Sequence, residues 1–210
     1  MAPDSELTRA ERFRNERSGT EVLLPYGGID TFLKADTGSV EEVSDADAAV
    51  LGVPFDGAVS NRPGARYGPS ALRDASAWWA YLSGYKGGLT NMRTQAQVDY
   101  ADLSLIDTGD VPVFQMDHEK TNEAIRAYVG TVAAQDTMPV MLGGDHYCTY
   151  PAYRGFCEGS DYDSVGLVQI DAHTDTVSES SVYGQHFHGS STRLIAESEY
   201  GDFSNISQIG

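Results

Sequence analysis

Two short apolar runs, each followed at once by polar side chains, constrain the fold of this chain more than any other feature. Val165–Ile170 and Met138–Leu142 are rich in β-branched and aliphatic residues, as is typical of strands buried in a parallel sheet. The polar residues that follow them are His146 after the earlier run, and Asp171, His173 and Asp175 after the later one. Ligands bind outside the carboxyl ends of strands in open α/β sheets. We therefore expect these four side chains to share one rim, at the ends of two neighbouring strands.

The three polar residues after the later run alternate along the chain. In an extended segment, residues i, i+2 and i+4 point the same way, so Asp171, His173 and Asp175 are expected to converge. Carboxylates with an imidazole suit a divalent ion such as Mn²⁺, whereas thiolates are typical of structural Zn²⁺. The alternative is a polar strand end that leads into a loop. His146, just beyond the paired glycines Gly143 and Gly144, favours the metal site.

The rest of the chain alternates between predicted strands and helices. The predicted strands are Ala48–Val53 and Leu103–Asp107; the predicted helices are one opened by Pro69 and Glu119–Ala134, which Asp117 caps. This alternation indicates a parallel α/β sheet with crossover helices. At 210 residues the chain is expected to form a single domain, 1–210, in which residues 1–40 are an N-terminal arm.

The net charge and the cysteine count limit the kinds of molecule that the protein is expected to bind and the compartment in which it is expected to occur. The chain has 14 Lys and Arg against 31 Asp and Glu, a formal net charge of −17. This argues against a basic nucleic-acid-binding surface and suits a small cationic substrate attracted by the field of the protein. Two cysteines do not make a disulfide framework, and no apolar run reaches membrane length. We therefore expect a cytoplasmic protein that does not bind membranes.

The motifs resemble those of a known family. Gly143-Gly144-Asp145-His146, followed by the segment DAHTD at 171–175, resembles the ureohydrolases, which include arginases and agmatinases, and the loop at 51–76 is similar to the agmatinase branch. The resemblance implies a three-layer, doubly wound parallel α/β sheet of the arginase type. It implies hydrolysis of a guanidino compound, agmatine or a similar one, to urea and an amine. It also implies two Mn²⁺ ions, with Ni²⁺ as the alternative, and a homo-oligomer, a trimer or a hexamer.

The resemblance also assigns roles to individual residues. It implies that His146, Asp171 and Asp175 hold one ion, and that His173 and Asp171 hold the other. Two such ions share a water molecule and lower its pKa towards 7. The spacing of His188 from Asp171, in the segment Phe187-His188-Gly189-Ser190, matches that of the family histidine that shuttles protons. Imidazole titrates in the useful pH range for that role. The alternatives are that His188 only caps a helix beginning near Ser190, or that His186 has the catalytic role.

The chain departs from the family pattern in one respect. Ureohydrolases carry a further Asp-x-Asp at a later strand end, and the sequence stops at Gly210 before such an element. We therefore expect a C-terminally truncated fold whose second ion binds weakly. Two other classes stay open: a truncated non-catalytic homologue that acts as a partner subunit, and a zinc-dependent amide hydrolase of the deacetylase type.

Substrate choice is less constrained than reaction type. The loop Thr176–Phe187 does not resemble the arginase segment that reads the substrate α-carboxylate, so agmatine, guanidinobutyrate and other guanidines stay open. Arg62 and Arg66, in the loop after the first strand, either order that loop or contact substrate.

Overall fold

The computed structural model describes residues 24–86, 88–98 and 103–210. The strands are β1 (Asp36–Thr37), β2 (Ala48–Val53), β3 (Leu89–Thr90), β4 (Gln97–Val98), β5 (Leu105–Asp110), β6 (Met138–Gly143), β7 (Leu167–Ile170) and β8 (Ile206–Ile209). The α-helices are α1 (Gly68–Lys86), α2 (His118–Ala133), α3 (Thr149–Gly159) and α4 (Ser191–Ala196). Much of the predicted N-terminal arm, including residues 1–19, lies outside the described residues.

The main sheet is parallel, as the sequence predicts. It has four strands in the order β1-β5-β2-β6, and every pair in it is parallel. β2 has the predicted bounds, and α2 forms the crossover from β5 to β6 within one residue of the predicted helix. Asp117 caps α2 as predicted, because its side chain accepts a hydrogen bond from the Lys120 backbone N–H.

Helices cover both faces of this sheet. Ala49, Leu51 and Val53 alternate along β2, and they are buried in one apolar core with Ile125 and Val129 of α2. The opposite face of β2 meets α1. A side chain at Gly52 would overlap the carboxylate of Asp110 and approach the Arg73 guanidinium of α1. These contacts make the three layers of helix, sheet and helix.

A buried ion-pair network fastens α1 to the end of β5. The Arg73 guanidinium donates to both carboxylate oxygens of Asp107, with Nε 2.8 Å from Oδ2 and Nη2 2.9 Å from Oδ1. It also donates to Asp110 Oδ1 at 2.6 Å and to the Gly109 carbonyl at 2.9 Å. The Phe32 backbone N–H donates to Asp107 Oδ2 at 2.7 Å. The network therefore joins the N-terminal segment, the sheet and α1.

The strand that precedes the Asp171 segment departs from the prediction of a buried strand. β7 pairs in parallel with β8 in a separate two-stranded sheet, and Val168 and Ile170 are 67% and 82% exposed. Successive side chains of a strand face opposite sides. Gln169, between these two, is buried against α4, where its side chain meets Thr192. The prediction is therefore right for one face of β7 and wrong for the other.

The structure also bears on the expectations about cysteines and about membrane-spanning helices. Cys148 and Cys157 are both free thiols, which agrees with the absence of a disulfide framework. Across the described ranges, no helix combines the length and apolar character needed to cross a membrane.

Candidate metal centre

Three of the four predicted ligands meet at the ends of β6 and β7. His146, Asp171 and Asp175 each offer one ligand atom, and these atoms all lie within 4.8 Å of one another. His146 Nε2 is 3.0 Å from Asp175 Oδ2. The two strands carry the ligands to one rim, but they are not hydrogen-bonded neighbours as predicted, because β6 and β7 belong to different sheets.

The turn after β6 places His146. Gly144 approaches other backbone so closely that a Cβ there would overlap the carbonyl oxygens of Phe55 and Val53. The Asp145 carboxylate accepts hydrogen bonds from the Tyr147 N–H and the Ala58 N–H, both at 2.9 Å. Burial raises the pKa of the Asp145 carboxyl. Asp145 therefore points inward and starts the helical turn that presents His146.

The segment after β7 turns instead of continuing as a strand. Asp171 Oδ1 accepts a hydrogen bond from the His173 N–H at 2.9 Å, and this bond is the main cause that lowers the pKa of Asp171. Asp175 has a φ of +46°, in the left-handed region, so the backbone bends there too. The two bends bring the Asp171 and Asp175 carboxylates together, and Asp175 is buried.

His173 does not join these ligands. Its side chain is 81% exposed, and its Nδ1 lies 3.4 Å from Asp171 Oδ1. The extended i, i+2, i+4 spacing therefore does not bring all three side chains into one group, while the pairing of His173 with Asp171 on a second ion stays a prediction. The chain is no longer a strand here, and the His173 N–H donates to the Asp171 carboxylate, so the regular alternation of side chains is lost at this residue.

The chemistry of the donor set fits one divalent ion. Two carboxylates and one imidazole are ligands that Mn²⁺ and related ions accept. A cavity of about 230 Å³ adjoins them, lined by His146 and Asp171 together with Gln169 and Thr192. A second ion would have Asp171 and, after a rearrangement, His173 as its described ligands. The residues present therefore suit a single ion better than a pair.

His188 is held by the loop that follows β2. His188 Nε2 lies 2.8 Å from Ser60 Oγ, and the His188 N–H donates to the Ala58 carbonyl at 3.1 Å. Ser191 Oγ lies 2.9 Å from the His188 carbonyl and 3.3 Å from that of His146, so the two histidine backbones are adjacent. The His188 imidazole is therefore engaged with Ser60. The short turn His188–Ser190 is closed by the Ser190 hydroxyl, which accepts from the Phe187 N–H at 3.2 Å.

His186, the alternative proton shuttle, belongs to a different set of contacts. Its Nδ1 lies 3.0 Å from the Tyr147 hydroxyl, which also accepts a hydrogen bond from Asn122 Nδ2 at 2.8 Å. Its ring also packs near that of Tyr150. Partial desolvation lowers the pKa of His186, which is exposed on its solvent side, and burial raises the pKa of Tyr147 to about 12. These contacts favour a neutral His186 that accepts at Nδ1, which suits a structural role.

The loop between β2 and α1 is ordered by an internal ion pair. Asp56 accepts from the Gly64 N–H at 2.6 Å and from Arg66 Nε at 2.7 Å. The hydrogen bond from Arg66 is the main cause that lowers the pKa of Asp56. Of the two roles left open for Arg66, ordering of the loop is therefore the one the structure supports. Arg62 is exposed on the same loop, with a φ of +53°.

Two residues at the site were missed by sequence reasoning. Ser60 contacts His188 across 128 residues of chain, so no local pattern indicates it. Gln169 could have been found, because it is the polar residue in an apolar strand and lies two positions before Asp171. In a strand that spacing places both side chains on one face.

The chain is similar to known proteins over most of its length. A family model described as the arginase family matches residues 46–210. The chain belongs to the arginase family. It is 33% identical over 202 residues to the mitochondrial agmatinase of Gallus gallus, and 32% identical over 197 residues to the mitochondrial guanidino acid hydrolase of Homo sapiens. These matches cover 96% and 94% of this chain, but 55% and 52% of the two relatives.

Solved structures show the same arginase-type fold. A structure described as a hypothetical agmatinase from Burkholderia thailandensis superposes with a TM-score of 0.74 at 29% identity, covering 89% of this chain and 55% of that one. A Trypanosoma cruzi formiminoglutamase with Mn²⁺ superposes with a TM-score of 0.63 at 25% identity, covering 82% of this chain and 57% of that one. This member of the arginase family thus spans little more than half the length of the relatives it matches.

Proposed function

We propose that this arginase-family chain carries the larger part of a Mn²⁺-dependent guanidino hydrolase that releases urea and an amine from agmatine or a similar compound. The observation that carries the proposal is the convergence of His146, Asp171 and Asp175 within 4.8 Å at the family's motif positions. The relatives named as agmatinase and guanidino acid hydrolase support the substrate class.

The proposal gives each residue a role with which its contacts are compatible. His146, Asp171 and Asp175 would hold the cation, and a bound divalent cation supplies the lowered pKa of a water nucleophile. His188 would give a proton to the leaving amine. The Ser60 hydroxyl at His188 Nε2 can both donate and accept, so it can accompany the neutral and the protonated imidazole. Nδ1 is then the nitrogen that would transfer the proton.

The charge of the protein suits a cationic substrate. The formal net charge is −17, which attracts guanidinium compounds over a long range at low ionic strength. The loop Thr176–Phe187 beside His188 contains Glu179 and has neither Lys nor Arg. We therefore place agmatine, which has an ammonium at its far end, before guanidino acids, which have a carboxylate there. A homo-oligomer, trimer or hexamer, is part of the same proposal.

A metal titration with a urea assay tests the proposal. MnCl₂ and NiCl₂ are titrated into the 210-residue chain, and urea release from agmatine, 4-guanidinobutyrate and arginine is measured. The same assays are run on a chimera in which the corresponding C-terminal part of an agmatinase relative follows Gly210. We expect about one Mn²⁺ per 210-residue chain and urea release from agmatine by the chimera. Mn²⁺ binding without urea release by either protein would favour the non-catalytic partner subunit, and no Mn²⁺ binding would refute the metal site.

A further inference from the structure

Gln169 is a buried polar residue in an otherwise apolar strand, and its side-chain amide contacts both candidate ligands and residues of other elements. It is 6% exposed and lies on the inward face of β7. Its Nε2 lies 3.1 Å from Asp175 Oδ2, 3.4 Å from the His173 carbonyl and 3.4 Å from His146 Nε2. Its Oε1 lies 2.6 Å from both Thr192 Oγ1 and Gln208 Nε2.

The neighbouring groups fix which end of the Gln169 amide is nitrogen. The Gln208 amide lies 2.7 Å from the Thr174 carbonyl, which can only accept, so the Gln208 atom there is its NH₂ group. The Gln169 atom that this NH₂ also meets must then be the oxygen. The other end of Gln169 therefore carries two N–H bonds, and it faces two acceptors, the Asp175 carboxylate and the His173 carbonyl.

We propose that Gln169 is a positioning residue for the metal ligand Asp175, and that Thr192 and Gln208 act through it by holding its amide in one orientation. This inference rests on the proposed function of Asp175 as a ligand. Thr192 of α4 and Gln208 of β8 both contact the Gln169 amide, and Gln169 in turn contacts the Asp175 carboxylate. In the described hydrogen bonds, neither Thr192 nor Gln208 contacts that carboxylate directly. Groups that orient a ligating carboxylate typically account for 10–100-fold in metal affinity.

Gln135 offers a matched comparison for a purely structural role. Its amide makes a similar set of hydrogen bonds: it accepts from the Val43 N–H at 3.0 Å and donates to the carbonyls of Val40 at 2.7 Å and Thr131 at 2.8 Å. It joins the end of α2 to the segment before β2, and its partners do not include a candidate ligand. Loss of Gln135 should lower stability without changing metal affinity.

The test is calorimetric titration of MnCl₂ into the 210-residue chain and its variants, with thermal melting of each metal-free protein. We expect Gln169→Ala to weaken Mn²⁺ binding by about 10–100-fold. Thr192→Val, which replaces the hydroxyl with a methyl group, should also weaken binding. Thr192→Ser, which keeps the hydroxyl, should bind Mn²⁺ as the unaltered chain does. Gln135→Ala should lower the melting temperature and leave the Mn²⁺ affinity as it is in the unaltered chain.

A double-mutant cycle separates action through Gln169 from independent effects. If Thr192 acts by orienting the Gln169 amide, Thr192→Val should have little further effect on Mn²⁺ affinity in a chain that already carries Gln169→Ala. Additive losses would overturn the proposal. Unchanged Mn²⁺ affinity in both Gln169→Ala and Thr192→Val would also overturn it. If Gln169→Ala does not fold, the Mn²⁺ affinities of Thr192→Val and Thr192→Ser test the proposal instead: equal affinities would overturn it. If the unaltered chain binds no Mn²⁺, the failure lies in the proposed metal site itself.

Discussion

Removal of the Arg73 guanidinium should destabilise the fold far more than removal of a surface arginine. Arg73→Met keeps an apolar stem but removes the two charge-assisted hydrogen bonds that Arg73 donates to Asp107. The side chain of Asp107 is 1% exposed, so its charge would be left buried without this partner. Breaking a buried ion pair by removing one partner costs about 3–5 kcal/mol. Asp107 keeps its bonds from the Phe32 and Gly109 N–H groups, so we expect the lower end, about 3 kcal/mol.

Denaturation in urea, followed by tryptophan fluorescence, measures the loss in free energy of unfolding. Trp78 and Trp79 lie on α1, the helix that Arg73 anchors. The control is Arg126→Met, which removes an exposed pair with Glu158 and should cost about 0–1 kcal/mol. The double variant Arg73→Met/Asp107→Asn should be more stable than Arg73→Met alone, because Asn removes the unpaired buried charge. Equal losses for Arg73→Met and Arg126→Met would show that the network does not stabilise the fold.

Three further predictions concern the site. Asp175→Ala should abolish the Mn²⁺ binding of the 210-residue chain while His173→Ala leaves it unchanged, as measured by calorimetry; a loss with His173→Ala would mean that the ion recruits this exposed side chain. In the chimera, His188→Ala should lower kcat by about 10²–10⁴-fold at unchanged Mn²⁺ content, and Ser60→Ala should lower kcat less; loss of metal with either would contradict the proton-transfer role. The hydrogen bond from Arg66 is the main cause that lowers the pKa of Asp56 in the folded state. Ionised Asp56 therefore stabilises the fold at pH values above its unfolded pKa of about 3.9, and this stabilisation is lost as the pH falls through its lower folded pKa. Urea denaturation between pH 7 and pH 3 should therefore show that the destabilisation by Asp56→Asn shrinks towards low pH, whereas a constant difference would rule out this linkage.

The sequence by itself determined the features that depend on local pattern. The apolar run at Ala48–Val53 is short and is followed by Pro54, which favours a buried strand over a helix. Asp117 before an amphipathic segment indicates a capped helix. The paired glycines before Asp145 could be assigned to a close backbone approach, and Gly144 makes one. Family membership also followed from residues adjacent in the chain, because ligands at strand ends are encoded as short motifs.

Only the tertiary structure decided what each ligand-type side chain does. Asp175 and His173 both have the spacing of ligands, but Asp175 is buried beside His146, whereas the His173 side chain is 81% exposed. Gln169 acquires its orientation from Thr192 and Gln208, which are 23 and 39 residues further along the chain. Periodicity fixes the direction of a side chain only while the backbone stays regular. Beyond a strand end, the direction is set by hydrogen bonds to distant residues, and one chain pattern is compatible with several such sets.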